Sequence, residues 1–211
     1  MFKYYVSLGE NCEVAFQMRR VLGRDESSFF SWNITSFEAL TSLLTHRFQG
    51  IMQLENLSTK SQGGSLIHDA AHDYWFHSDF PHYADVDFSD HPETLANHIT
   101  KANYLTSKFY EIARSGQNIA FFYKTAAENV KIKSIILREN LLAVTQGMSP
   151  FTLVVIQTQD RSEQDWALNG IANRYVARFA PRGDAHDGHV SSWDKIFAEF
   201  RHIDGLRLAG Y

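Results

Sequence analysis

The stretch Phe151-Thr152-Leu153-Val154-Val155-Ile156 is rich in β-branched residues, and upstream Ile119-Ala120-Phe121-Phe122-Tyr123 forms a short continuous apolar run. Such runs mark strands buried on both faces, the usual state of a parallel sheet covered by helices. Between them, residues 126–146 are helical in pattern. Upstream, His91-Pro92-Glu93 opens a long helix, because proline is tolerated in a first turn; Leu95, Ile99, Ala102, Leu105, Phe109 and Ile112 then recur at steps of three or four. Downstream, a short helix is expected over 163–170, a strand over Tyr175–Phe179 and a closing helix over Ser192–His202. The alternation predicts a single α/β domain over residues 1–211, with a mainly parallel sheet and helices on both faces in a Rossmann-like layering. Residues 2–8, 118–124, 151–157 and 174–179 are its expected neighbouring strands.

Composition narrows the function. The chain has 211 residues, 44% of them hydrophobic, enough for one sizeable core. Its net charge of −4 gives no footprint for nucleic acid. No window approaches the ~20 apolar residues of a membrane span. Met1–Val6 is too short an apolar run for a secretory signal. With one cysteine, a disulfide scaffold is excluded and a reducing, cytoplasmic compartment is expected.

That cysteine is the most informative single residue. Residues 2–8 read as a strand and about Asn11 to Leu22 as a helix ended by Gly23, so Cys12 falls at a strand-to-helix turn. In open parallel sheets, sites gather outside the carboxyl ends of the strands, where Cys12 lies. A helix terminus is worth only ~0.3–1 kcal/mol to a charge, and Glu10 and Glu13 oppose thiolate formation, so a nucleophilic Cys12 requires a histidine within reach. Candidates are His77 and His82, with Asp79 to orient the ring. Asn11 has two readings, as helix cap or as oxyanion donor beside turn N–H groups such as that of Gly9. Ser7 is a fallback nucleophile, and Trp32, with Phe29 and Phe30, lines a pocket or packs in the core. The opposing reading of Cys12 is a small buried filler.

A second constellation runs from His68 to His82: His68, His72, His77 and His82 interleaved with Asp69, Asp73 and Asp79. On a helix, His68 and His72 would share a face, a spacing that suits a metal. His186 and His189, with Asp184 and Asp187, add a later group. No cofactor is expected; a metal, if bound, would draw on His68, His72, His77 or His186. Cys-x5-Arg fails because residue 18 is Met18, and neither dinucleotide nor phosphate-loop glycine patterns are present.

Over nearly its whole length, and most specifically over residues 6–48, the chain resembles a bacterial family of unknown function labelled as papain-like cysteine peptidases. The resemblance rests on Ser7-Leu8-Gly9, Asn11-Cys12, Ala15, Arg19-Arg20, Phe30, Trp32, Ser36-Phe37-Glu38-Ala39-Leu40 and Phe48. His77-Ser78-Asp79-Phe80-Pro81 is similar to the family's His-Asp-Phe segment with one residue inserted. The long helix leading into 119–124 and the Trp193–Phe197 helix fit the same layout. Departures are Ser31 at the family's aspartate, Phe29 at a common proline, and Tyr104-Leu105 or Ser107-Lys108 at a basic pair. Papain's own signature of Gln, Gly, Ser and Trp around the nucleophile does not surround Cys12. Papain-like folds pair a helical lobe with an antiparallel sheet, whereas the alternation here predicts a parallel one.

These readings converge on a cysteine-dependent hydrolase or transferase, peptidase-like, with its nucleophile after the first strand. The substrate class is a small molecule, peptide, ester or glycoconjugate. The alternatives are a metal-dependent hydrolase built on the His/Asp clusters, or a non-catalytic ligand-binding or scaffold module.

Overall fold

The computed structural model describes residues 1–59, 66–80, 86–181 and 183–209. Along the chain run β1 (Tyr4–Ser7), α1 (Glu13–Leu22), β2 (Asn33–Thr35), α2 (Phe37–Thr45), β3 (Leu57–Ser58), β4 (Leu66–Asp69), β5 (Tyr74–His77), α3 (Pro92–Ala113), β6 (Ile119–Lys124), α4 (Val130–Thr145), β7 (Phe151–Thr158), β8 (Ile171–Val176) and α5 (Val190–Glu199).

β1, β6, β7 and β8 form a four-stranded parallel sheet in that order. Side chains alternate across it, as a strand's period of two requires. Val6, Phe121, Tyr123, Leu153 and Val155 meet α2, α3 and α4 in one core. Tyr5, Phe122, Val154 and Ile156 meet α1 and α5 in the other. The strand order never reverses, so crossovers of one hand pile onto one face. α1 and α5 then cover the opposite face. The free edge of β1 is blunted where Phe2 donates its N–H to Arg201 O at 2.8 Å and accepts from Ile203 N at 2.9 Å, which removes a template for strand addition.

A second sheet, antiparallel in the order β2-β5-β4-β3, was not expected from the sequence. β4 and β5 have four residues each, and β2 and β3 only three and two. The β4–β5 turn is held by the buried Asp69, whose carboxylate accepts from Met52 N at 2.7 Å and Ala71 N at 3.0 Å. The two sheets meet where Thr35 N donates to Glu10 O at 3.2 Å, an antiparallel bridge just past β1.

Three expectations need correction. No helix covers 163–170. The segment is pinned instead by the buried Asn173, whose Oδ1 accepts from Trp166 N at 3.0 Å and whose Nδ2 donates to Gln164 O at 3.2 Å. The last parallel strand is 171–176 rather than 174–179, because Ile171 and Ala172 pair with Leu153 and Val154 in the core. His68 and His72 share no helix face, since His68 lies in β4 and His72 in the turn that follows. Among the described residues, no helix is long and apolar enough to cross a membrane.

Candidate active site

The turn after β1 is built around a glycine. Gly9 has φ +91°, and a Cβ there would lie 2.1 Å from Thr35 Oγ1. A side chain is therefore excluded twice, by backbone conformation and by Thr35. Gly9→Ala is expected to destabilise by about 1–3 kcal/mol and to disturb the bridge between the sheets. Urea denaturation of the variant against wild type measures it.

Cys12 is the first residue of the α1 cap, with helical φ −71° and ψ −9°. The cap side chain comes one residue earlier: Asn11 Oδ1 accepts from Glu13 N at 3.1 Å. The same oxygen accepts from Lys124 Nζ at 2.9 Å. Lys124, at the carboxyl end of β6, also donates to Glu13 Oε2 at 2.9 Å and lies 4.6 Å from the Phe179 ring centroid. Glu13 is fully buried, and its other oxygen accepts from Trp193 Nε1 at 3.1 Å. Glu13 therefore does not burden the thiol with an uncompensated charge, as its neighbouring position suggested; its carboxylate is neutralised beneath the turn. Glu10 is likewise engaged, accepting from Thr125 Oγ1 at 3.2 Å.

His77, at the end of β5, places Nε2 3.9 Å from Cys12 Sγ, within the range of a sulfur hydrogen bond. The sulfur is largely buried, with Cys12 7% exposed, yet it faces a cleft of about 1330 Å³. Burial pushes the thiol pKa up from its ordinary value, while the residue's own backbone N–H and the Lys124 ammonium pull it down. An unassisted Cys12 is therefore held as the thiol, and ionisation depends on a proton acceptor such as His77.

Other predicted residues fall differently. Asp79 does not touch His77. It is exposed, its N–H donates to His98 Nε2 at 3.3 Å, and its carboxylate lies 3.8 Å from the same ring. Its place two residues past the histidine gave it no path back to the imidazole. His82 lies outside the described residues. Ser7 is fully buried, with its hydroxyl accepting from Gly9 N at 3.4 Å, which takes the fallback nucleophile away from the cleft. Ser31, at the family's aspartate position, closes a capping box with Ser28, which donates its N–H to Ser31 Oγ at 2.9 Å. Trp32 does line the cleft. It donates Nε1–H to Ser27 Oγ at 2.6 Å, with the Arg19 guanidinium 4.7 Å above its ring.

The histidine clusters disperse. His68 Nε2 pairs with Asp73 Oδ1 at 2.7 Å. Both nitrogens of His72 are engaged, by Ser42 Oγ at 2.8 Å and Gln49 O at 2.6 Å. His186 packs on Phe16 at the rim of the cleft, 3.4 Å between ring centroids, and His189 Nδ1 meets Ser192 Oγ at 2.8 Å. Among the described residues, no three histidine, cysteine or carboxylate side chains group as a metal site.

Lys124 is the residue that sequence reasoning missed. A lysine ending an apolar strand reads as a solvated charge, and only the buried carboxylate of Glu13, on the neighbouring element, reveals otherwise. Lys101 and Phe16 also line the cleft without having been singled out.

Comparison with curated proteins and with solved structures returned no match. A family model described as "Putative papain-like cysteine peptidase" matches residues 3–160, well over half of the chain. That span contains Asn11, Cys12, His77 and Lys124, and excludes the His186 loop. The chain belongs to the family that this description names.

Proposed function

We propose that the protein is a cysteine-dependent hydrolase or acyl transferase acting on a peptide or ester bond, with Cys12 as nucleophile and His77 as its base and then its acid. The observation that carries this reading is the 3.9 Å approach of His77 Nε2 to Cys12 Sγ at the mouth of a cleft, made by residues 65 positions apart. His77 takes the thiol proton as sulfur bonds to the carbonyl carbon, and the carbonyl π pair moves onto oxygen. Asn11 Nδ2 and the Cys12 N–H are the donors for that oxyanion. Because Asn11 Oδ1 is held by two donors, the amide is oriented before substrate arrives. Collapse breaks the bond to the leaving amine or alkoxide, which takes the proton from His77. Water, or an acceptor alcohol or amine, then cleaves the thioester and restores the thiol.

The family description supports the peptidase-like class, and the unpaired thiol suits a cytoplasmic setting. Among the described residues, the histidines of the metal-dependent alternative lie apart, which favours the thiol reading. An activated ester such as p-nitrophenyl acetate tests the proposal. Wild type is expected to release a burst of nitrophenol approaching one equivalent, with an acetyl mass increment on Cys12, and Cys12→Ser none. Equal release from both proteins would refute it.

A further inference from the structure

Beside the thiol–imidazole pair, a slot of about 60 Å³ opens between α3 and the antiparallel sheet. Its interior is formed by Phe29, Met52, Phe76 and Ala102, while Trp32, His77, Lys101 and Leu105 border both the slot and the main cleft. The space exists because of the α3 sequence. His98, Lys101, Ala102 and Leu105 fall at steps of three and four on one helix face, and Ala102 brings a single methyl where Leu105 brings a full side chain. Phe29, Met52, Tyr74 and Phe76 are core residues, so most of the wall is firm and apolar, and the Asn33 amide on it is already engaged, donating to Phe29 O at 2.8 Å. His98 adds no charge: burial holds its pKa below the ordinary histidine value, against the pull of Asp79. Lys101 is exposed and has no hydrogen bond or ion pair among the described residues, leaving a cation at the entrance.

We infer that this slot is the specificity pocket of the Cys12 site, and that it selects acyl donors carrying a compact aliphatic side chain next to the carbonyl while rejecting cationic ones. The volume corresponds to about two water molecules, room for the branched end of a short aliphatic side chain and not for a phenylalanine ring. Because His77 borders both spaces, a side chain seated in the slot is held beside the pair that would attack its carbonyl. A lysine or arginine side chain would meet the Lys101 ammonium and lose its hydration against aromatic walls. The inference rests on Cys12 being the nucleophile, as proposed above.

N-acetyl-aminoacyl chloromethyl ketones test it directly. The Cys12 sulfur bonds to the methylene as the carbon–chlorine bond breaks, chloride leaves, and the thiol proton passes through His77 to solvent. Rates read by intact mass, each divided by the same reagent's rate with glutathione, remove intrinsic reactivity. The leucine reagent is expected to exceed the alanine reagent by about tenfold or more, with the lysine reagent below both. Ala102→Leu, which fills the slot, should bring the leucine-to-alanine ratio close to one. Should that variant not fold, Met52→Ala enlarges the slot and should turn the preference toward the phenylalanine reagent. A wild type without leucine preference overturns the inference. So does a variant that folds and keeps the wild-type order. A wild type that shows the preference but no nitrophenol burst supports the slot and refutes the catalytic reading instead.

Discussion

His77→Gln is expected to raise the pH at which Cys12 alkylation levels off by about one unit or more, a roughly tenfold loss of rate with iodoacetamide at pH 7. Burial pushes the Cys12 pKa up, and the nearby Lys124 only partly offsets it. At 3.9 Å, a protonated His77 ring adds a cation directly beside the sulfur. Glutamine retains polarity and a similar reach without the ability to carry that charge. Removing a cation from the side of an anion disfavours the anion, so the inflection moves upward. A pH–rate profile of alkylation, followed by mass, checks the shift, and superimposable profiles for the two proteins would contradict it.

Lys124→Met should produce the largest loss of stability, about 3–5 kcal/mol, because it strands the Glu13 carboxylate without its counter-charge. The pair is 2.9 Å apart, with Lys124 side-chain exposure of 4% and Glu13 of 0%. Trp193 Nε1 still donates to Glu13, but one neutral donor does not replace an ammonium. Glu13→Gln combined with Lys124→Met removes both charges and should recover most of the loss, since a buried pair is often replaceable as a unit. Urea denaturation of the single and double variants separates the outcomes: equal loss in both would show that packing, not the stranded charge, is at stake. Asn11 also loses one of its two donors in Lys124→Met. The variant therefore bears on the orientation of the amide as well as on stability.

The legible parts of this chain are those whose environment is uniform along the sequence. The strands around 119–124 and 151–158 are buried on both sides, so their apolar runs could be read directly. Cys12 was placed after a strand and at a helix start because Gly9, Asn11 and the apolar stripe of α1 each point the same way. The antiparallel sheet was illegible for the opposite reason. A strand of two residues such as Leu57–Ser58 has no measurable period, and His68-Asp69 looks like loop polarity although Asp69 is fully buried in it. Contacts distant in sequence were also hidden. Lys124 and Glu13 are 111 positions apart, and the register of β1 on β6 is what brings them together. Asp79 misled because proximity along the chain to His77 was read as proximity in space.

The bridge between Glu10 and Thr35 gives the site a mechanical character. Cys12 is suspended from the parallel sheet and His77 from the antiparallel one, so the gap between sulfur and nitrogen is a measure of how closely two separately laddered units are docked. The antiparallel unit is the slighter of the two, with strands of two to four residues against four to eight. Local opening falls first on the part with fewer ladder bonds. Such an opening would withdraw the imidazole while α1 and the thiol stay in place, so on the proposed reading of Cys12 reactivity is expected to be lost before the fold is. On that reading the thiol–imidazole pair is a latch, armed only while the weaker sheet is seated.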